Sequence, residues 1–125
     1  MLSAVAEHEN RIRAHFYTQE VNTAGIYLMS FFVDGIERPV IVDDWFPVHK
    51  ADNTKPCFAR SKDEELWVML MEKAWAKLNG NYARSQAGYT HVACQLLLGV
   101  STERSFHNDI ENKPDKVDLF WRQLV

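Results

Sequence analysis

Cysteine is scarce in this chain. Only Cys57 and Cys94 occur among 125 residues, too few for a disulfide framework. They form no Cys-x-x-Cys pair, and the five histidines (His8, His15, His49, His91 and His107) show no metal-ligand spacing. Positive charge is not in surplus either: 14 Lys and Arg face 17 Asp and Glu, for a formal net charge of −3. This balance supplies no driving force for binding nucleic acid or an anionic membrane. No apolar run approaches the roughly 20 residues of a membrane span. The opening MLSAVAEHENR has no basic start and meets Glu7 too early to resemble a signal peptide. Repeats and low-complexity tracts are missing. These observations predict one domain with no nucleic-acid partner and no membrane span, in a reducing, intracellular (cytoplasmic) setting.

What is present is ordinary for a soluble globular domain: 46% apolar and 25% charged residues. Residues 2–16 have a helical rhythm, with Leu2, Val5, Ile12 and Phe16 on one face. No capping residue precedes that face, so the start looks cut from something longer. After a turn at NTAG (22–25), IYLMSFFV and IERPVIVDD flank Asp34-Gly35, a strong hairpin signal. The first run is apolar on both faces and predicts cover on both sides, while Pro39 belongs at an edge or bulge. Residues 48–60 read as a polar loop. Ser61 and Glu64 then fit a capping box opening a helix of wide apolar face, with Leu66, Leu70, Ala74 and Leu78 in one row and Trp67, Met71 and Trp75 beside it. Asp63, Glu64 and Glu65 suit its positive end, and Lys73 and Lys77 its negative end. Gly80 supplies a stop. A short helix capped by Thr90 and ended by Gly99 follows. A last one capped by Asp115 carries Val117, Phe120, Trp121 and Leu124 on one face and runs off the end uncapped.

Few residue groups suggest chemistry. A nucleophilic cysteine needs a base and a depressed pKa. Cys57 lies between Pro56 and Phe58, and Cys94 lies among Val92, Ala93 and Leu96; both read as small buried hydrophobes. His91 and His107 are possible cleft residues, with surface or capping roles the plainer expectation for the histidines. Asp43 and Asp44 are adjacent, so on a strand they point to opposite faces and cannot share a proton. A calcium loop would need further oxygen ligands at regular spacing. The expectation is that Asp43 ends the strand and Asp44 bonds turn amides before Pro47.

Four strings in order carry a resemblance: VIVDDWFP, KPCFARS, EELWVMLMEKAWAKLNGNY and AGYT…LLLG. Glu65, Trp67, Glu72, Lys73, Ala74, Trp75, Ala76, Lys77, Gly80 and Tyr82 all fall in register. The chain resembles the catalytic core of calpain-like cysteine peptidases along nearly its whole length. The resemblance implies an α+β, papain-like cysteine peptidase core, here partial: residues 1–88 would be most of the first subdomain, and residues 89–125 the beginning of the second. It implies that Glu65 is one acidic ligand of a calcium site, and that Gly88 is a cleft glycine whose backbone pairs with substrate. The family position before Gly88 is often Gly, and here it is Ala87. The Asp pair would be a structural signature of the strand end.

The family's nucleophile, histidine and asparagine motifs (Gly-Asp-Cys-Trp-like, Gly-His-Ala-Tyr-like and Asn-Pro-Trp-Gly-like) do not occur in these residues. The nucleophile would fall just before Met1 and the histidine after Val125. The expectation is therefore a fragment of a calcium-dependent cysteine-type endopeptidase, truncated at both ends and inactive alone. It would hold no catalytic residue and bind calcium weakly through Glu65. Its partners would be a protein or peptide substrate and the remainder of the calpain catalytic core. The alternative is a non-catalytic calpain-like module that binds a partner through the half-cleft at Gly88.

Overall fold

A computed structural model of the chain describes residues 6–59, 65–85 and 88–102. The first element lying wholly within the described residues is a short helix, α1 (Glu9–Ala14). It does not extend unbroken from residue 2 to 16, because His8 is extended at its N-cap (φ −136°, ψ 123°) and His15 already ends it. Two antiparallel strands follow, β1 (Ile26–Val33) and β2 (Ile36–Asp43), in the register the Asp34-Gly35 turn predicts, with Val33 opposite Ile36 and Ile26 opposite Asp43. Both turn residues have positive φ, 53° and 74°, the geometry whose twist matches a two-residue hairpin.

The hairpin buries one apolar face fully, and β1 is covered on the other face as expected, where Ser30 is buried and Leu28 and Phe32 are half-buried. Tyr27, Met29 and Phe31 of β1 and Val40 and Val42 of β2 are buried together, in the period-2 alternation of a strand. Helix α2 (Leu66–Leu78) covers this face with Leu70, Met71, Ala74 and Trp75. Burying a side chain such as Phe31 or Met71 contributes about 1.5–3 kcal/mol. The helix begins later than the capping-box reading proposes: Glu65 is its extended N-cap (φ −69°, ψ 128°). Ser61, Asp63 and Glu64 lie outside the described residues. Its C-cap is Asn79, and Gly80 follows at φ 96°.

Helix α3 (Tyr82–Ser85) is a single turn, and helix α4 (Thr90–Leu98) adds Ala93 and Leu97 to the same core. Thr90 is the first helical residue and Tyr89 the N-cap, with no side-chain cap bond. Gly99 ends α4 in the left-handed region at φ 65°, and a Cβ there would lie 2.8 Å from Cδ1 of Phe32. Only glycine satisfies both demands at once.

The stretch 48–60, expected to be loop, instead contains a second hairpin. It pairs β3 (Val48–His49) with β4 (Asp52–Pro56) through an irregular register. Asp52 organises its bend, accepting from the Thr54 amide at 3.1 Å and hydroxyl at 2.7 Å. The last predicted helix, with Asp115, Val117, Phe120, Trp121 and Leu124, and also His107, lie outside the described residues. Among the described residues no helix is long and apolar enough to cross a membrane.

Candidate functional site

The Asp43-Asp44 pair sits where β2 leaves the sheet. Asp43 accepts the Trp45 amide on Oδ1 at 2.9 Å, an Asx turn. The same oxygen meets the Lys73 ammonium from α2. That ammonium also donates to the Asp43 carbonyl at 3.1 Å and to the Trp45 carbonyl, and lies 5.3 Å from the centre of the Phe46 ring. The Lys73 hydrogen bond, seconded by the Trp45 amide, holds the Asp43 carboxyl below its ordinary value. Asp44 does a different job. Its amide donates to Gly25 O at 3.1 Å, and its carboxylate lies over Gly25, where a Cβ would come within 2.6 Å of Oδ1. Asp43 ends the strand as expected, but it also makes the turn bond expected of Asp44, and Asp44 packs on the turn that precedes β1. Spacing cannot distinguish two adjacent aspartates, because the choice depends on which one faces α2.

Helix α2 ties the next segment down as well. Glu72 accepts the Ala59 amide at 2.7 Å, and Phe58 stacks on Tyr82 at 4.1 Å with rings 7° from parallel. Burial first, then the negative charges of Glu72 and Asp43, raise the Tyr82 phenol above its usual value and keep it neutral. Lys77 donates to the Ile41 carbonyl at 2.8 Å. Glu72, Lys73 and Lys77, legible in sequence only as helix-surface charges, are tertiary ties. The available signal was their place in the EKAWAK string beside the buried row.

Glu65 stands at the N-cap of α2, where its Oε2 accepts the Trp67 indole N–H at 2.9 Å. It lines a groove of about 480 Å³ with Ile12, Phe16, Tyr27, Leu66 and Trp67. Among the described residues the buried Tyr27 hydroxyl has no hydrogen-bond partner. Calcium takes about six to eight oxygens. Among the described residues no group of three or more His, Cys, Asp or Glu converges, so Glu65 and its described neighbours do not fit a calcium site by themselves.

Gly88 lies just before α4 and is not among the residues lining that groove. Among the described residues a Cβ on it would meet nothing within 4 Å, so their packing does not demand glycine there. Nearby, Tyr89 and His91 stack at 5.4 Å, and the His91 carbonyl faces the Thr102 hydroxyl.

The cysteine and histidine expectations need two corrections. Cys57 is exposed, not buried, because the β3–β4 hairpin carries it outward. Cys94 is half-buried. His15 is buried rather than at the surface, its Nδ1–H donating to the Ser30 carbonyl at 2.9 Å and its ring 5.9 Å from Phe31.

The family model described as calpain family cysteine protease matches residues 1–124. This chain belongs to that family. It is 37% identical to calpain-type cysteine protease DEK1 of Arabidopsis thaliana, over 99% of this chain and 6% of that protein. It is 38% identical to calpain-type cysteine protease ADL1 of Oryza sativa subsp. japonica over the same shares. Against calpain-7 of Homo sapiens the identity is 41%, over 72% of this chain and 11% of the relative. The chain thus spans a small part of the length of these calpain relatives. Its mixture of helices and small antiparallel sheets fits part of a calpain protease domain.

Proposed function

We propose that this chain is part of the peptidase core of a calpain-type, calcium-dependent cysteine endopeptidase. In the complete enzyme a cysteine thiolate attacks the carbonyl of a peptide bond, with an imidazole and an orienting amide completing the site. The observation that carries the reading is the family match over residues 1–124. The core is papain-like, with residues 1–88 in the first subdomain and the second opening at residue 89. Gly88 borders the substrate cleft, where the open space around its Cα lets a peptide backbone approach closely. Glu65 is one calcium ligand of the complete enzyme, the others coming from outside the described residues. The setting is cytoplasmic, the substrate a protein or peptide, and the necessary partner the remainder of the catalytic core.

Alone, the 125 residues are inactive in this reading, since they contain none of the three catalytic motifs. The test compares the complete gene product with this chain, each given a fluorogenic peptide with and without calcium and a thiol alkylator. Calcium-dependent, alkylator-sensitive cleavage by the complete product only is the expected result. Calcium-dependent cleavage by the 125-residue chain would overturn its inactivity. A complete product that never cleaves would sink the peptidase reading in favour of a binding module.

A further inference from the structure

Each strand of the β1–β2 hairpin has an outer edge, and the backbone groups on it can be assigned. In an antiparallel pair joined by a two-residue turn, the residues flanking the turn exchange hydrogen bonds and the pattern then alternates. With Val33 opposite Ile36, the outward-facing residues of β1 are Ile26, Leu28, Ser30 and Phe32, and those of β2 are Glu37, Pro39, Ile41 and Asp43.

The outer edge of β1 is closed from Ile26 to Ser30 by backbone and side chains from residues 15–22. Ser30 N–H donates to His15 O at 2.8 Å, Tyr17 N–H donates to Leu28 O at 3.0 Å, and Leu28 N–H donates to the Thr18 hydroxyl at 3.2 Å. The Asn22 side-chain amide donates to Ile26 O at 3.0 Å.

Among the described residues no strand lies against the outer edge of β2, yet two of its outward carbonyls are engaged. Ile41 O accepts from Lys77 Nζ at 2.8 Å and Asp43 O from Lys73 Nζ at 3.1 Å. Pro39 has no N–H to offer. An ammonium on a strand carbonyl takes the acceptor that an added strand would need, and places a desolvation cost in the way of one that tries to pair. We propose that Lys73 and Lys77 of α2, together with Pro39, guard the outer edge of β2, keeping the hairpin two-stranded by denying its acceptors to the strand of a second copy of this chain. The second copy is the relevant intruder because it carries the same eight-residue, β-branched strand at equal concentration.

The test uses the 125-residue chain with Lys73→Met and Lys77→Met together, against Lys73→Arg and Lys77→Arg together. Methionine keeps the apolar stem and the helix propensity, and arginine keeps the charge and the donor. Sedimentation velocity over a concentration series measures association, and hydrogen exchange locates it. The methionine chain is expected to self-associate at a concentration at least about ten-fold lower than the wild type, with slowed exchange at the Ile41 and Asp43 amides. The arginine chain should behave as wild type. Removing two positive charges makes an acidic chain more acidic, so simple charge neutralisation cannot produce that outcome.

If the methionine chain is folded and sediments as wild type, the proposal fails. It fails equally if the chain associates with no protection at Ile41 and Asp43. Should the double variant not fold, Lys77→Met alone and Pro39→Val, which restores an outward donor, decide the matter by the same readouts. Association of either at Ile41 supports the guard, and monomeric behaviour of both overturns it.

Discussion

The two hairpins of this chain make opposite uses of their sequence. β1–β2 is long and regular and buries five apolar side chains of one face under α2 and α4. β3–β4 is short and irregular, exposed at nearly every position, and held by one aspartate at its bend. The first leaves a period-2 pattern in the sequence because burial selects alternate residues. The second leaves no pattern because no face of it is buried. Periodicity reports burial, and a strand pair stabilised by local bonds alone looks like loop.

Substitutions of descending size can break or sharpen this contrast. The largest effect is expected in the apolar hairpin: Phe31→Ala should remove about 3–5 kcal/mol of unfolding free energy in urea titration. Val48→Ala, in the polar hairpin, should stay within about 0.5 kcal/mol. Comparable losses would mean that the second hairpin is also part of the cooperative core.

Gly99→Ala attacks the contact between α4 and the first hairpin. The left-handed backbone alone should cost about 1–2 kcal/mol, and the Phe32 ring, 2.8 Å from the new methyl, should add to it. Differential scanning calorimetry checks this; an unchanged Tm would show that Phe32 can swing aside and that α4 is held elsewhere.

A smaller effect lies at Asp43, where one hairpin hands the chain on toward the other. Its folded-state pKa is below the unfolded 3.8, chiefly through the Lys73 hydrogen bond and then the Trp45 amide. Its contribution to stability is therefore fully present above the unfolded value and is lost as pH falls through the lower folded value. Asp43→Asn should flatten that acid limb and lower Tm slightly at neutral pH. An unaltered acid limb would show that the contact with Lys73 adds nothing measurable, as many exposed pairs do. The smallest effect is expected from Asp52→Ala. Amide exchange at Thr54 should quicken while the global Tm stays unchanged; a lowered Tm would join the second hairpin to the first.

Where the sequence was legible, a local rule or a buried face explains why. The Asp34-Gly35 turn and the strand register follow from φ > 0 preferences, the row Leu70, Ala74 with Met71 and Trp75 follows from helical period, and Gly99 stops a helix by its own geometry. His8 escaped because a helix break at a residue of ordinary propensity carries no mark. The late start of α2 at Leu66 escaped because Ser61 and Glu64 satisfy the capping-box spacing while Glu65 is held extended. Of the candidate site, Glu65 and Gly88 came from family resemblance. The chain's own described residues show a groove beside the first and open space around the second.

Local order and family membership were therefore determined by the sequence alone: strand, turn and helix residues each carry preferences that act over a few positions, and the EKAWAKLNGNY string is long enough to identify its relatives. Only the tertiary structure decided that Asp43 and not Asp44 makes the turn bond, that His15 is interior, that Cys57 is outside, and that Lys73 and Lys77 reach strand carbonyls. Those outcomes depend on partners 28 to 36 residues away for the lysines and on which side chain faces them. A long flexible ammonium shows the same letter in a sequence whether it ends in water or on a backbone oxygen.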